Sequence, residues 1–134
     1  MDEVTRLDAL ITSVPKPGYW RAIFDRFVRQ ETDGYFLVAA RGEEFLGFIV
    51  GEIREWEFGS QPCGWVFAIA VNPELRLGSV GTALFETLCD RFRKAGVTKI
   101  RTMLARDAQL VMSFFRSQGM MAGPFIQLEK DLDE

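Results

Sequence analysis

The stretch from Ala70 to Glu86, AVNPELRLGSVGTALFE, restricts the possible folds of this chain more than any other segment. A short apolar run, Val66 to Val71, stops at Asn72-Pro73. A basic, glycine-bearing turn follows, Arg76-Leu77-Gly78-Ser79-Val80-Gly81, and then Leu84, Leu88 and Phe92 recur at helical spacing. The pattern predicts a strand, a turn and a helix that begins at about Ser79. Backbone N–H groups at a helix N-terminus have no intrahelical partner, and the helix dipole adds positive potential there. Small residues let an anion approach those groups closely. Ser79 is a good N-cap type, and its hydroxyl adds a further donor. The chain therefore offers an anion cradle of pyrophosphate size between a strand and a helix.

The remaining segments place this unit in a longer order. Val4, Leu7, Leu10 and Ile11 are spaced for a helix over residues 4–12, which Pro15 to Gly18 breaks. Tyr19, Ile23, Phe24, Phe27 and Val28 predict a second amphipathic helix, residues 19–29. Asp33-Gly34 turns the chain into a short strand over residues 35–40, and residues 41–44 read as a hairpin turn. A long strand over residues 45–58, a turn over 59–62 and a strand over 63–71 follow. The helix after the cradle ends in Arg91, Arg93 and Lys94 before Gly96. A strand over 97–104 comes next. Asp107 is then the expected N-cap of a helix in which Leu110 pairs with Phe114 and Val111 with Phe115, and Gly119 ends it. Residues 125–132 read as a final strand. The order α, α, β, β, β, α, β, α, β predicts one α/β (α+β) domain over residues 1–134, with a mixed sheet and helices on both faces.

Composition narrows the function. The 134 residues are 48% hydrophobic and 26% charged, which is globular composition. A net charge of −3 argues against a general nucleic-acid binder. No apolar run reaches membrane-spanning length. Met1-Asp2-Glu3 is acidic and no apolar leader follows, so a cytoplasmic location is expected. Cys63 and Cys89 have no metal spacing and read as reduced thiols, and no metal is expected. The chain has no histidine, which excludes Ser-His-Asp and Cys-His catalysis and the usual zinc sites. A general base would have to be a carboxylate, a water, a cysteine, a lysine or a tyrosine.

The cradle is not a P-loop, because no Gly-Lys pair occurs, and Gly78-Ser79-Val80-Gly81 lacks the spacing of a dinucleotide fingerprint. The string from Val71 to Leu84, VNPELRLGSVGTAL, resembles the coenzyme A loop of the GNAT family of acetyl-CoA-dependent N-acetyltransferases. One position departs from that pattern: Ser79 stands where the family has its first loop glycine. Phe114-Phe115-Arg116-Ser117-Gln118-Gly119-Met120 is similar to the family's Phe-Tyr-x-x-x-Gly-Phe segment, and Leu128 to Leu132 looks like its final strand. Nothing before Val4 can form the family's usual first strand, so a GNAT-like sheet is expected without it.

The resemblance implies a site. The pantetheine arm of acetyl-CoA would lie along Ile69-Ala70-Val71, where the strand splays from its parallel neighbour over 97–104. Main-chain groups of Ile69 and Val71 would bond the pantetheine amides, and the Val71 N–H would meet the thioester oxygen. The pyrophosphate would sit on N–H groups of Leu77, Gly78, Ser79, Val80, Gly81 and Thr82, with Arg76 either beside it or solvated. Family members often carry a glutamate in the strand before the loop, and this chain has none there. Glu52, Glu55 and Glu57 are the nearest carboxylates; Glu57 is the first choice as base, with deprotonation through water as the alternative. The family's tyrosine falls at Phe115, which can pack on the pantetheine and cannot donate a proton. Trp56 or Tyr19 at the acceptor mouth competes with plain core packing of the aromatics. The implied activity is acetyl transfer to a primary amine of a small molecule or peptide, by a monomer or homodimer. The alternative is an acyl-CoA-binding or sensing module without chemistry.

Overall fold

The computed structural model describes residues 17–28, 34–56, 59–74 and 77–133. The expected helix over 4–12 and the question of a missing first strand lie outside these residues. The elements are α1 (Pro17–Val28), β1 (Gly34–Arg41), β2 (Glu44–Arg54), β3 (Cys63–Val71), α2 (Leu77–Lys94), β4 (Ile100–Thr102) and α3 (Gln109–Ser117). The sheet order is β1-β2-β3-β4, antiparallel except for the parallel β3–β4 pair. It is the expected mixed sheet with helices on both faces.

Each face carries its own core. On one side Trp20 and Ile23 of α1 pack with Phe48, Val50 and Ala70. The Trp20 ring meets Phe48 edge-on at 5.1 Å, a favourable aromatic geometry. Tyr19 and Phe24, expected on the buried face of this helix, are instead half-exposed at 51% and 41%. On the other side Ile49, Val66 and Val71 of the sheet pack with Leu84, Phe85, Leu88 and Phe92 of α2 and with Phe114 and Phe115 of α3. The helix α2 comes very close to the sheet. A Cβ on Gly64 would stand 2.3 Å from the Phe92 ring, and one on Gly51 would stand 2.7 Å from Trp65 O and 3.0 Å from Leu88 Cδ2. The two glycines are the floor on which α2 rests.

Helix ends follow backbone chemistry. At the end of α2, Val97 N–H donates to Phe92 O and Gly96 N–H to Arg93 O, with Gly96 at φ 86°. This is a Schellman motif, which needs the left-handed residue that glycine supplies. Gly119, at φ 93°, closes α3 in the same way, with Met120 N–H donating to Phe115 O. Val97 is consumed by this cap, so the strand expected over 97–104 shrinks to Ile100–Thr102.

Four other expectations need correction. The strand expected over 45–58 ends at Arg54, and Trp56 sits at φ 60°, a conformation no ladder accepts. Asp107 is not the N-cap of α3. Ala108 holds that position with no side-chain cap bond, while Asp107 O accepts the Gln109 N–H. Leu110 is 84% exposed and does not pack against the core beside Phe114. Residues 125–132 form no strand; Ile126, Leu128 and Leu132 face solvent. A strand needs a ladder, and the three residues of β4 offer little edge to pair with.

Candidate functional site

The strands β3 and β4 part early. They pair at Gly64↔Ile100, Trp65↔Arg101 and Val66↔Thr102 and no further, although β3 runs on to Val71. The last link is Thr102 Oγ1 donating to Val66 O at 3.0 Å. The ladder therefore ends at Val66 and Thr102 and a gap follows along Phe67 to Val71, starting ahead of the Ile69-Ala70-Val71 stretch where the splay is expected.

A β-bulge decides which groups face the gap. Gly51 pairs with Val66 and Val50 with Ala68, so Phe67 is the extra residue on β3. Past the bulge, Asn72 N–H donates to Leu46 O on the β2 side. Backbone groups of successive strand residues point to opposite edges. Ala70 and Ala68 therefore turn toward β2, and the N–H and C=O of Val71 and Ile69 turn into the gap. Without the bulge that pattern would be out of step with the Val66 O that bonds Thr102. Ile69 and Val71 are named in the sequence as candidates, whereas the bulge that sets their orientation is not. Its only local signal was Gly51 opposite.

The N-terminus of α2 lies just beyond. Asn72 Oδ1 accepts the Glu74 N–H at 3.0 Å and starts the turn. The helix begins at Leu77, so Ser79 is inside its first turn and is not its N-cap. The first turn of the helix is Leu77 to Val80, and the N–H groups of Gly81 and Thr82 enter the intrahelical ladder. Gly78 and Ser79 are exposed, and Gly81 is buried. A Cβ on Gly78 would meet nothing within 4 Å. No acidic residue stands in the first turn to compete for an anion. Thr82 Oγ1 accepts from Gln118 Nε2 at 2.9 Å, which ties this turn to the end of α3. Arg76 lies outside the described residues.

Phe115 is 4% exposed, with its ring 5.4 Å from Phe114 and 5.9 Å from Phe85. It is a core residue that also lines a cavity of about 550 Å³ with Met103, Leu104, Met112 and Arg116. Trp56, at 64%, and Tyr19 stand outside the core. Glu57 lies outside the described residues, and Glu55 is exposed past the end of β2. Glu52 is the inward carboxylate: Arg26 approaches it at 3.4 Å and Arg54 Nε at 3.6 Å. The Arg54 guanidinium lies over Trp65 at 5.1 Å and over Phe67 at 5.4 Å. Cys63 and Cys89 are free thiols. Burial pushes the Cys89 thiol up, against a downward pull from Arg93. Among the described residues, no helix is long and apolar enough to cross a membrane.

Comparison with known proteins adds to this geometry. The L-2,4-diaminobutyric acid acetyltransferase of Nocardia farcinica (strain IFM 10152) is 30% identical over 90 residues, 67% of this chain and 45% of that relative. The chain thus matches less than half the length of that relative. The solved aminoglycoside 6'-N-acetyltransferase of Acinetobacter haemolyticus has a TM-score of 0.78 at 19% identity, covering 98% of this chain and 92% of its own. That of Acinetobacter baumannii has a TM-score of 0.75 at 17% identity, covering 96% and 89%. At these identities the structural likeness speaks for the fold. The family model described as acetyltransferase (GNAT) matches residues 1–120. A splayed parallel strand pair, a helix N-terminus beside it and a family match over most of the sequence agree: the chain belongs to the GNAT acetyltransferase family.

Proposed function

We propose that residues 1–134 form one acetyl-CoA-binding domain that moves the acetyl group to a primary amine of a small molecule or peptide, by direct attack in a ternary complex. The gap between β3 and β4, with Ile69 and Val71 main-chain groups turned into it, carries this reading. A pantetheine arm along Ile69-Ala70-Val71 would satisfy those groups as a fourth-strand partner does elsewhere in the sheet. The diphosphate would lie against Leu77, Gly78, Ser79 and Val80, with Gly81 and Thr82 behind them and Arg76 alongside.

The chemistry assigned to the chain is modest. The Val71 N–H donates to the thioester oxygen and strengthens that bond as negative charge gathers there. The amine attacks the carbonyl carbon, loses a proton, and the C–S bond breaks. Glu57 or a water takes the proton. The departing thiol ionises near 8.5 in the ordinary case, so water can protonate it. Phe115 supplies packing and no proton. The free thiols Cys63 and Cys89 fit a reducing, cytoplasmic setting. Phe115 in place of the family's tyrosine favours the second reading, a non-catalytic acyl-CoA sensor.

Thiol release from acetyl-CoA over a panel of amines separates the two. Amine-dependent release supports transfer. Calorimetric binding of CoA without any release supports the sensor, and absence of both removes the site.

A further inference from the structure

The apolar side chains left in solvent are not spread evenly. Among the described residues, seven of the eleven large exposed hydrophobics lie between Met103 and Leu132. Five of these, Met103, Met121, Phe125, Ile126 and Leu128, line the 550 Å³ cavity and so form one contiguous patch. Scattered exposed apolar residues need no explanation, whereas a contiguous patch marks an interaction surface. The patch follows a strand edge. β4 is the last strand of the sheet and pairs with β3 alone. Residues 120–128 line the same cavity as Ile100 and Thr102 and form no ladder with them. An open edge of this kind is a template for a second chain. The segment is nonetheless held in place: the Arg101 guanidinium lies 4.8 Å from the Phe125 ring and donates to Ser60 Oγ at 2.9 Å. Ile126 and Leu128, next to that anchor, are 84% and 85% exposed.

Charge decides what covers the patch. Arg116 lines the cavity from α3. The segment itself continues into Glu129, Asp131 and Asp133, with Lys130 between them. Gln127 Nε2 donates to Glu129 Oε1 at 2.7 Å, and among the described residues none of these acids is paired with Arg116 or Arg101. One edge thus carries an apolar centre with a basic border and an acidic border that do not meet within the molecule. A nucleic acid or an acidic peptide would be repelled by residues 129–133. A rotated copy of the same edge fits both borders at once, as a two-fold contact requires. We infer that this edge binds a second copy of the chain about a two-fold axis. Ile126 and Leu128 of each copy pack on Met103 and Met121 of the other, and Glu129 and Asp131 of each face Arg116 of the other. The inference does not depend on acetyl transfer.

Sedimentation equilibrium on the full chain tests it. At about 100 μM the wild type should have twice the monomer mass of 15.3 kDa. Ile126→Glu/Leu128→Glu should sediment as a monomer with an unchanged circular dichroism spectrum, since both side chains are exposed. Two charge variants test the pairing. Arg116→Glu sets acid against acid, and Glu129→Lys/Asp131→Lys sets base against base, so each alone should dimerise at least roughly tenfold more weakly. Mixed in equal amounts, the two should form a heterodimer of about wild-type affinity, because each copy supplies the charge that the other has lost. Mixing cannot restore a contact made within one chain. A wild type that is monomeric at about 100 μM would overturn the inference, as would a dimer that survives Ile126→Glu/Leu128→Glu. So would charge variants that dimerise as tightly as the wild type, or weakened ones that mixing does not restore.

Discussion

Gly78 is the residue at which anion binding and folding separate most cleanly. Its Cβ position is open and it sits in the first turn of α2. Gly78→Asp places a carboxylate where a helix dipole welcomes one, so stability should hold or rise by about 0.3–1 kcal/mol. The same charge would oppose a diphosphate. Two unit charges 4 Å apart at an effective dielectric of 20 repel by about 4 kcal/mol, which salt reduces at an exposed site. A roughly ten- to hundredfold loss of CoA affinity is expected by calorimetry, with an unchanged or higher Tm. Phe115 makes the converse case. Phe115→Tyr should leave turnover unchanged, since no acid is needed at that position. Phe115→Ala removes a buried ring and should cost about 3–5 kcal/mol of stability in denaturant titration. Cys89 gives a pH dependence. Burial raises its folded thiol above the unfolded value, so its contribution is complete below about 8.5 and is lost as pH rises through the folded value. The Tm of the wild type should therefore fall more steeply above that pH than the Tm of Cys89→Ala.

At the scale of elements, the seating of α2 on β2 and β3 is the contact most exposed to error. Phe92 is 2% exposed and has nowhere to retreat from a methyl group on Gly64. Gly64→Ala should cost about 1–3 kcal/mol, read as a lower Tm with secondary structure intact by circular dichroism. Much of this architecture was legible in the residues. Cys63 to Val71 is an apolar run between turn signals, and Leu84, Leu88 and Phe92 mark the helix face that the core uses. The bulge at Phe67 was not legible. In a run that is apolar at nearly every position, a one-residue change of phase leaves no polar mark. The start of α2 was placed late because Gly78 read as loop, whereas glycine costs little in a first turn with open N–H groups. The final strand was read from Phe125 to Leu132 on composition alone, and composition cannot say whether a partner edge exists. Glu52 read only as one of the nearest carboxylates, and the approach of Arg26 was not legible because it comes from α1, far away in sequence.

For the molecule as a whole, the sheet divides the work. Among the described residues, the first turn of α2 carries no carboxylate, which suits a phosphorylated thioester. The face under α1 carries Glu52, with Arg26 and Arg54 beside it. The gap beyond Val66 and Thr102 is the only part of the proposal that joins the two faces, and it is open to residue-resolved measurement. Amide hydrogen exchange by NMR, with and without CoA, reads it directly. The N–H groups of Ala68 and Ala70 face β2 and should be protected in both states. Those of Ile69 and Val71 should exchange quickly in the free protein and become protected, together with Gly78, when CoA binds. Protection of Ile69 and Val71 that is unchanged by saturating CoA would show that the cofactor does not lie between β3 and β4.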